Sequence, residues 1–217
     1  MNMIKKQFFN KYQRFILLLL IGLTINSAYA KESLTSLMQG MKSETATRIA
    51  YKETRILELM DQPWEGSGFM YSLPPDLMVK EQLLPKRILM GVKGDKIFYF
   101  DQEKGFHHQG ELDKNDPISL SISVFKALIN ADEDLLHSMY QVEFASGAKS
   151  WTMTLNPKNN SERGSSTVVS GTTNQQIDKI SLKQADGDMS DFILRKDASG
   201  DRVKNIANRL YQELLGE

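Results

Sequence analysis

Few side chains in this sequence offer chemistry. His107, His108 and His137 are the only histidines, and cysteine is absent. Neighbouring residues of a strand point to opposite faces, so His107 and His108 cannot both ligate one metal ion, and solvated histidines are expected. Gly66-Ser67-Gly68 sets a serine between glycines but lacks the spacing and following helix of a nucleophile elbow, so it reads as a turn. Asp186, Asp188 and Asp191 gather around Gly187 in the manner of calcium ligands. The spacing and terminal glutamate of an EF-hand loop are missing, and a hairpin turn accounts for the cluster. Nothing brings carboxylates such as Glu53 and Glu58 together, so a solvated strand face is expected for them. There is no glycine-rich phosphate loop. The expectation is a protein that is not an enzyme and has no catalytic residues, no cofactor and no metal.

The compartment bounds what else the chain can do. Lys5, Lys6, Lys11 and Arg14 precede an apolar run from Phe15 to Ile25, and Ala28-Tyr29-Ala30 follows. This is the pattern of a secretory signal peptide over residues 1–30, with an apolar run shorter than the roughly 20 residues of a spanning helix. Lys31 stands where a bacterial lipoprotein has its lipidated cysteine, so the expected product is soluble in the periplasm. Residues 31–217 then fit one domain with a sizeable core. The formally neutral chain loses four basic and no acidic residues with the signal, leaving a net charge of −4. A mildly acidic surface carries no electrostatic footprint for nucleic acid or anionic headgroups. Without cysteines in an oxidising compartment, packing alone must supply stability.

The elements that would position any site follow from periodicity. Leu34, Leu37, Met38 and Met41 lie on one helical face. Thr45 to Leu59 alternates as a long strand or bent arm, with Ile49, Tyr51, Glu53 and Arg55 on one side. Strands are predicted over Phe69–Leu73, Leu77–Gln82, Ile88–Val92, Lys96–Phe100 and Phe106–Leu112, with a corner at Pro74-Pro75-Asp76 and turns at Gly94 and Gly105. Asp116-Pro117 starts a helix running to Ile129 that is too apolar to have a wet face. Strands resume at Tyr140–Ala145, Ser150–Leu155, Thr167–Ser170, Gln176–Lys183 and Asp191–Arg195. Asn156–Ser166 reads as a polar loop. A final helix, 201–215, places Val203, Ile206, Ala207, Leu210 and Leu214 on one face and ends at Gly216.

An apolar surplus remains. Met70, Met78, Met90 and Met153 sit on predicted strands, where methionine gives an adaptable surface; ordinary core filling is the competing account. Phe69–Leu73 and Lys96–Phe100 are apolar on both sides, as in strands covered twice. Enclosing an acyl chain yields about 0.8 kcal/mol per methylene, a sum that a flat patch recovers only in part.

The order Tyr51-Lys52-Glu53, Gly66-x-Gly68, Pro75-Asp76-Leu77, Pro85, Ile88–Val92, Gly94 and Ile97-Phe98-Tyr99 resembles the periplasmic outer-membrane lipoprotein carrier family, LolA, and its related branch. The match is densest from Gly68 to Asp101, and Trp151–Pro157 is similar to a later strand. The resemblance implies an α+β fold, an unclosed antiparallel β-barrel whose concave face is lidded by helices over an apolar cavity. It implies a non-enzymatic monomeric carrier of a lipid or lipidated protein, passed from a donor at the inner membrane to an acceptor at the outer membrane. The expected lipid-binding residues are Met70, Tyr71, Met78, Met90, Phe98, Phe100, Trp151 and Met153, with Ile122 and Phe125 on the lid. Strand alternation requires some of these to face away. Pro74 aligns with the family's lid-latching arginine and Glu53 with its glutamine. Arg48 or Arg55 is a candidate replacement latch, against the simpler reading of a solvated strand arginine. Two other classes are a lipid-sensing regulatory module acting through a protein partner at the last helix, and a lipid hydrolase, against which the missing nucleophile and base count.

Overall fold

The computed structural model describes residues 32–58, 60–113, 117–158, 166–172 and 176–217. The signal reading of residues 1–30, the Asp116 cap and most of the polar loop after Pro157 lie outside them. Helix α1 (Leu34–Met41) opens the described chain and is followed by β1 (Thr47–Ile56), β2 (Trp64–Leu73), β3 (Leu77–Leu84), β4 (Ile88–Lys93), β5 (Lys96–Asp101) and β6 (Phe106–Glu111). Helices α2 (Pro117–Ile129) and α3 (Glu133–Met139) come next. The chain finishes with β7 (Tyr140–Ser146), β8 (Ser150–Pro157), β9 (Ser166–Thr172), β10 (Gln176–Lys183), β11 (Met189–Ser199) and α4 (Asp201–Leu215).

All eleven strands join one antiparallel sheet in the order β6-β5-β4-β3-β2-β1-β11-β10-β9-β8-β7. Two meanders are therefore stitched together where β1 pairs with β11. The edges are β6 and β7, which do not pair with each other, so the barrel is unclosed. None of the described helices is long and apolar enough to cross a membrane.

The two faces of this sheet hold separate cores. On the inner face, Tyr51, Met70, Trp151, Met153, Val169, Ile180 and Phe192 pack with Leu37 and Met38 of α1, Val124, Ala127 and Leu128 of α2, and Leu136 of α3. On the outer face, Tyr71, Leu73, Leu77, Val79, Leu89 and Phe98 meet Val203, Ala207, Leu210 and Leu214 of α4. Strands β2–β5 read as apolar on both sides because α4 covers one side and the inner core occupies the other. The last helix thus lays its apolar stripe on its own sheet.

Side chains cap the helices locally. Ser33 Oγ accepts from the Ser36 amide at 3.1 Å at the start of α1, and Asp132 Oδ1 accepts from Leu135 N at 2.9 Å at the start of α3. Helix α3 is absent from the sequence expectation, being only 7 residues long, yet its signal was present: an acidic cap followed by Glu133 and Asp134 in the first turn. At the other end of the chain Gly216 takes φ +81° to close α4.

Gly66-Ser67-Gly68 is a correction. It lies within β2 and is not a turn. A Cβ on Gly68 would stand 2.0 Å from the Glu81 carbonyl oxygen of β3, at a register shift in the β2–β3 ladder. Glycine is therefore required by close backbone approach.

Arg87 clamps α4 to the outer face. Its Nε donates to Glu81 at 3.0 Å, Nη2 to Glu213 at 2.8 Å and Nη1 to Gln102 at 3.1 Å. Hydrogen bonding from Arg87 holds the Glu213 carboxyl below its ordinary range. A carboxylate lowered in the folded state contributes stability above its unfolded pKa and loses it as pH falls through the folded value. Glu213→Gln should cost no more than about 1 kcal/mol at neutral pH, since both partners are partly exposed. Urea unfolding should show that gap closing in acid. Gly68→Ala, which pushes a methyl into a fixed carbonyl, should cost about 3 kcal/mol and lower Tm by roughly 10 °C, read by thermal unfolding.

Candidate functional site

Alternation sorts the expected lining residues. Met70, Trp151 and Met153 belong to the inner core, against which Phe125 of α2 also packs. Met78 alternates with Leu77 and Val79 of the outer core and so faces inward. Met90 pairs in register with Lys80 and Tyr99 on that same inner face. Ile122 is half-buried on α2. Tyr71, Phe98 and Phe100 are the ones that face away: they lie on the outer face beneath α4, Phe98 meeting the Tyr211 ring edge-on at 5.5 Å. A strand that is apolar on both sides gives no parity signal, which is why the sequence could not separate the two sets.

Trp151 and Met153 are fully buried, and Trp151 Nε1 donates to the Thr172 carbonyl at 2.9 Å. They form the closed end of the inner face. Toward β4 and β5 burial is mixed: Ile88 and Val92 are buried on this face, while Met90, Ile97 and Tyr99 are only half-buried. Helix α2 and the residue after it bond to the sheet and its connections, Ser119 Oγ accepting from Asp113 N at 3.2 Å. Lys126 Nζ donates to the Gly94 carbonyl in the β4–β5 turn at 2.6 Å, and Ser72 Oγ donates to Asn130 Oδ1 at 2.9 Å. Phe125 meets Phe192 edge-on, with ring centroids 4.8 Å apart.

At the centre of the inner face sits a charge cluster that sequence reasoning placed in solvent. Glu53 is 1 % exposed. Its Oε2 accepts from Lys80 Nζ at 2.6 Å and its Oε1 from Arg55 Nε at 2.5 Å. The Lys80 ammonium also lies 4.8 Å from the Tyr51 ring centroid and 5.1 Å from that of Phe192, and the Arg55 guanidinium sits 4.7 Å over Trp64. Aromatic faces here supply part of what water would otherwise provide to the cations. Burial pulls the Lys80 ammonium below the ordinary lysine range, and the Glu53 carboxylate opposes that pull. Burial also drives the Tyr51 phenol above its ordinary value, with Glu53 adding to the shift. The Tyr51 hydroxyl is buried and has no hydrogen-bond partner among the described residues. One signal for this cluster was available: Ile49, Tyr51 and Glu53 share a strand face, so a buried tyrosine implied a buried carboxylate beside it.

The other candidate side chains have local roles. Arg48 points outward, pairs with Asp197 and lies over Phe69 at 4.7 Å, so it cannot latch an inner lid. Arg55 does face inward, but its Nε is engaged by Glu53 and it is no freely solvated arginine. His107 and His108 diverge, His107 stacking on Phe100 at 4.2 Å and approaching the Leu214 carbonyl, His108 stacking on Phe106. Asp186 and Asp188 close a hairpin, Asp188 Oδ1 accepting from Glu58 N at 2.9 Å, while Asp191 pairs with Lys179. Among the described residues no group of three or more histidines and carboxylates is arranged to hold a metal.

No family model matches the chain, and no curated protein does. Several solved structures are similar in fold. One is a LolA superfamily protein, NE2245 from Nitrosomonas europaea: TM-score 0.43, 7 % identity, 78 % of this chain and 93 % of that one. Another is an uncharacterized conserved protein from Thermus thermophilus, with TM-score 0.46 and 8 % identity over 76 % of this chain and 86 % of that one. A third is a DUF1329 family protein from Desulfovibrio piger, with TM-score 0.42 and 11 % identity over 76 % and 91 %.

The cluster makes a firm energetic claim. Removing one partner of a buried ion pair strands a charge in a low-dielectric site, whereas replacing both is far cheaper. Lys80→Met should destabilise by about 3 kcal/mol. Lys80→Met combined with Glu53→Gln should return to within about 1 kcal/mol of the native chain in a urea double-mutant cycle.

Proposed function

We propose that the protein is a non-enzymatic periplasmic carrier that shelters the acyl chain of a lipid or lipidated protein on its inner face and delivers it towards the outer membrane. One observation carries this reading. On the inner face of β4 and β5, Met90, Ile97 and Tyr99 are only half-buried, and α2 is held to the β4–β5 turn by Lys126 on the Gly94 carbonyl, with Asn130 just past the helix held by Ser72 of β2. Helix α2 also packs Val124, Ala127 and Leu128 into the core that holds Trp151 and Met153, so what can be exchanged for water, with that packing kept, is these polar contacts of about 1 kcal/mol each. An acyl chain slipping beneath α2 gains about 0.8 kcal/mol per enclosed methylene, so ten methylenes outweigh both tethers several-fold. The methionines Met70, Met78 and Met90 accommodate a flexible guest because their thioether chains reshape at little cost.

The donor, the acceptor and monomeric action belong to the same reading. Protein purified from its own periplasm and analysed by native mass spectrometry should carry a bound mass that extracts into organic solvent as a lipid. A chain recovered without such a mass, and unable to bind the neutral fluorescent probe N-phenyl-1-naphthylamine, would exclude carriage. Lys126→Ala, which removes one tether of α2, should raise the rate at which that probe enters and leaves, read by stopped-flow fluorescence, with little change in Tm.

A further inference from the structure

The charge cluster on the inner face has a surplus of hydrogen-bond donors. Glu53 contributes the one negative charge, and both of its oxygens are taken, by Lys80 and Arg55. Two cations therefore face one anion, Lys80 largely buried and Arg55 about a third exposed, and one positive charge is left over. Lys80 Nζ has three N–H groups and gives one to Glu53; its other neighbours are the Tyr51 and Phe192 rings. The Tyr51 hydroxyl, on the residue two before Glu53, is a buried donor with no partner among the described residues. A buried cation and a buried unsatisfied hydroxyl both cost free energy, and a single anionic oxygen group would relieve both costs at once.

From this geometry we infer that the cargo carries an anionic head, a carboxylate or a phosphate, which docks against Lys80, Arg55 and the Tyr51 hydroxyl while its alkyl chain lies along the methionines. The inference rests on the carrier reading and adds the chemical class of the cargo. Glu53 acts within it as a resident counter-ion, holding the two cations in place when the site is empty and competing with the incoming head when it is filled.

The test uses displacement of N-phenyl-1-naphthylamine from the whole protein by four amphiphiles of equal chain length: dodecanoate, dodecyl phosphate, dodecanol and dodecyltrimethylammonium. The native chain should prefer at least one of the anions over dodecanol by about tenfold or more, and the cation should be the weakest. Dodecanoate against dodecyl phosphate then separates a fatty-acid head from a phospholipid-like one. Glu53→Gln removes the competing charge and should increase the anion preference over native. Lys80→Met should abolish it, and the double variant, with the native net charge, should stay near the native ratio. If the ion pair were only structural, both single variants would weaken binding of every amphiphile alike. Equal displacement by dodecanol and both anions in the native chain overturns the anionic head while leaving the carrier reading intact. No probe binding, or no displacement by any of the four, overturns both. If either single variant fails to fold, the native selectivity among the four amphiphiles still decides.

Discussion

Alternation along β2–β5 supplies two cores from one set of strands. Met70 is buried on one side of the sheet and Tyr71 on the other, and Val79 and Lys80 divide in the same way. Neither side could be given up. The outer side needs α4 and its Arg87 clamp, because without them Val79, Leu89 and Phe98 would face water; the inner side needs α1–α3 for the same reason. The consequence is a division of labour. The outer core is closed by a 15-residue amphipathic helix with a continuous apolar stripe, and it acts as the rigid backing. The inner core is closed by shorter helices, and half-buried residues occur on it at both β4–β5 and β7.

That asymmetry explains why the charge cluster is tolerable where it sits. Glu53 lies near the junction of the two halves, with Phe192 of β11 on one side and Lys80 of β3 on the other. An isolated carboxylate there would be prohibitively desolvated; with two cationic donors and aromatic faces around them the cluster approaches neutrality in energy without reaching it. Conformational specificity follows as well. A register slip of one residue in β1 would turn Glu53 outward and place Lys52 or Thr54 against Lys80, so the cluster penalises mispairing more sharply than an apolar contact would.

Much of the architecture was legible. The heptad-like spacing of Leu34, Leu37, Met38 and Met41 gave α1, the turn at Gly94 gave the β4–β5 hairpin, and the stripe from Val203 to Leu214 with Gly216 beyond gave α4. What failed did so for nameable reasons. Gly66-Ser67-Gly68 looked like a turn because a glycine admitted for interstrand clearance is chemically the same as one admitted for a positive φ. Helix α3 was too short for periodicity to register. Tyr71, Phe98 and Phe100 were grouped with Met70 and Met90 because a strand buried on both sides carries no mark of which side is which. Glu53 was read as solvated because its partner Lys80 is 27 residues away, and only the pairing of β1, β2 and β3 brings the two together.

The unpaired edges at β6 and β7 also set what the molecule can do with its girth. In a closed barrel, strand number and shear dictate the diameter, and the lumen is a constant of the fold. Here the ladder stops on both sides, so no ring of hydrogen bonds has to be broken for the sheet to open or tighten slightly by changing its coil. Calibre thereby becomes an adjustable property of the sheet rather than a constant of the fold.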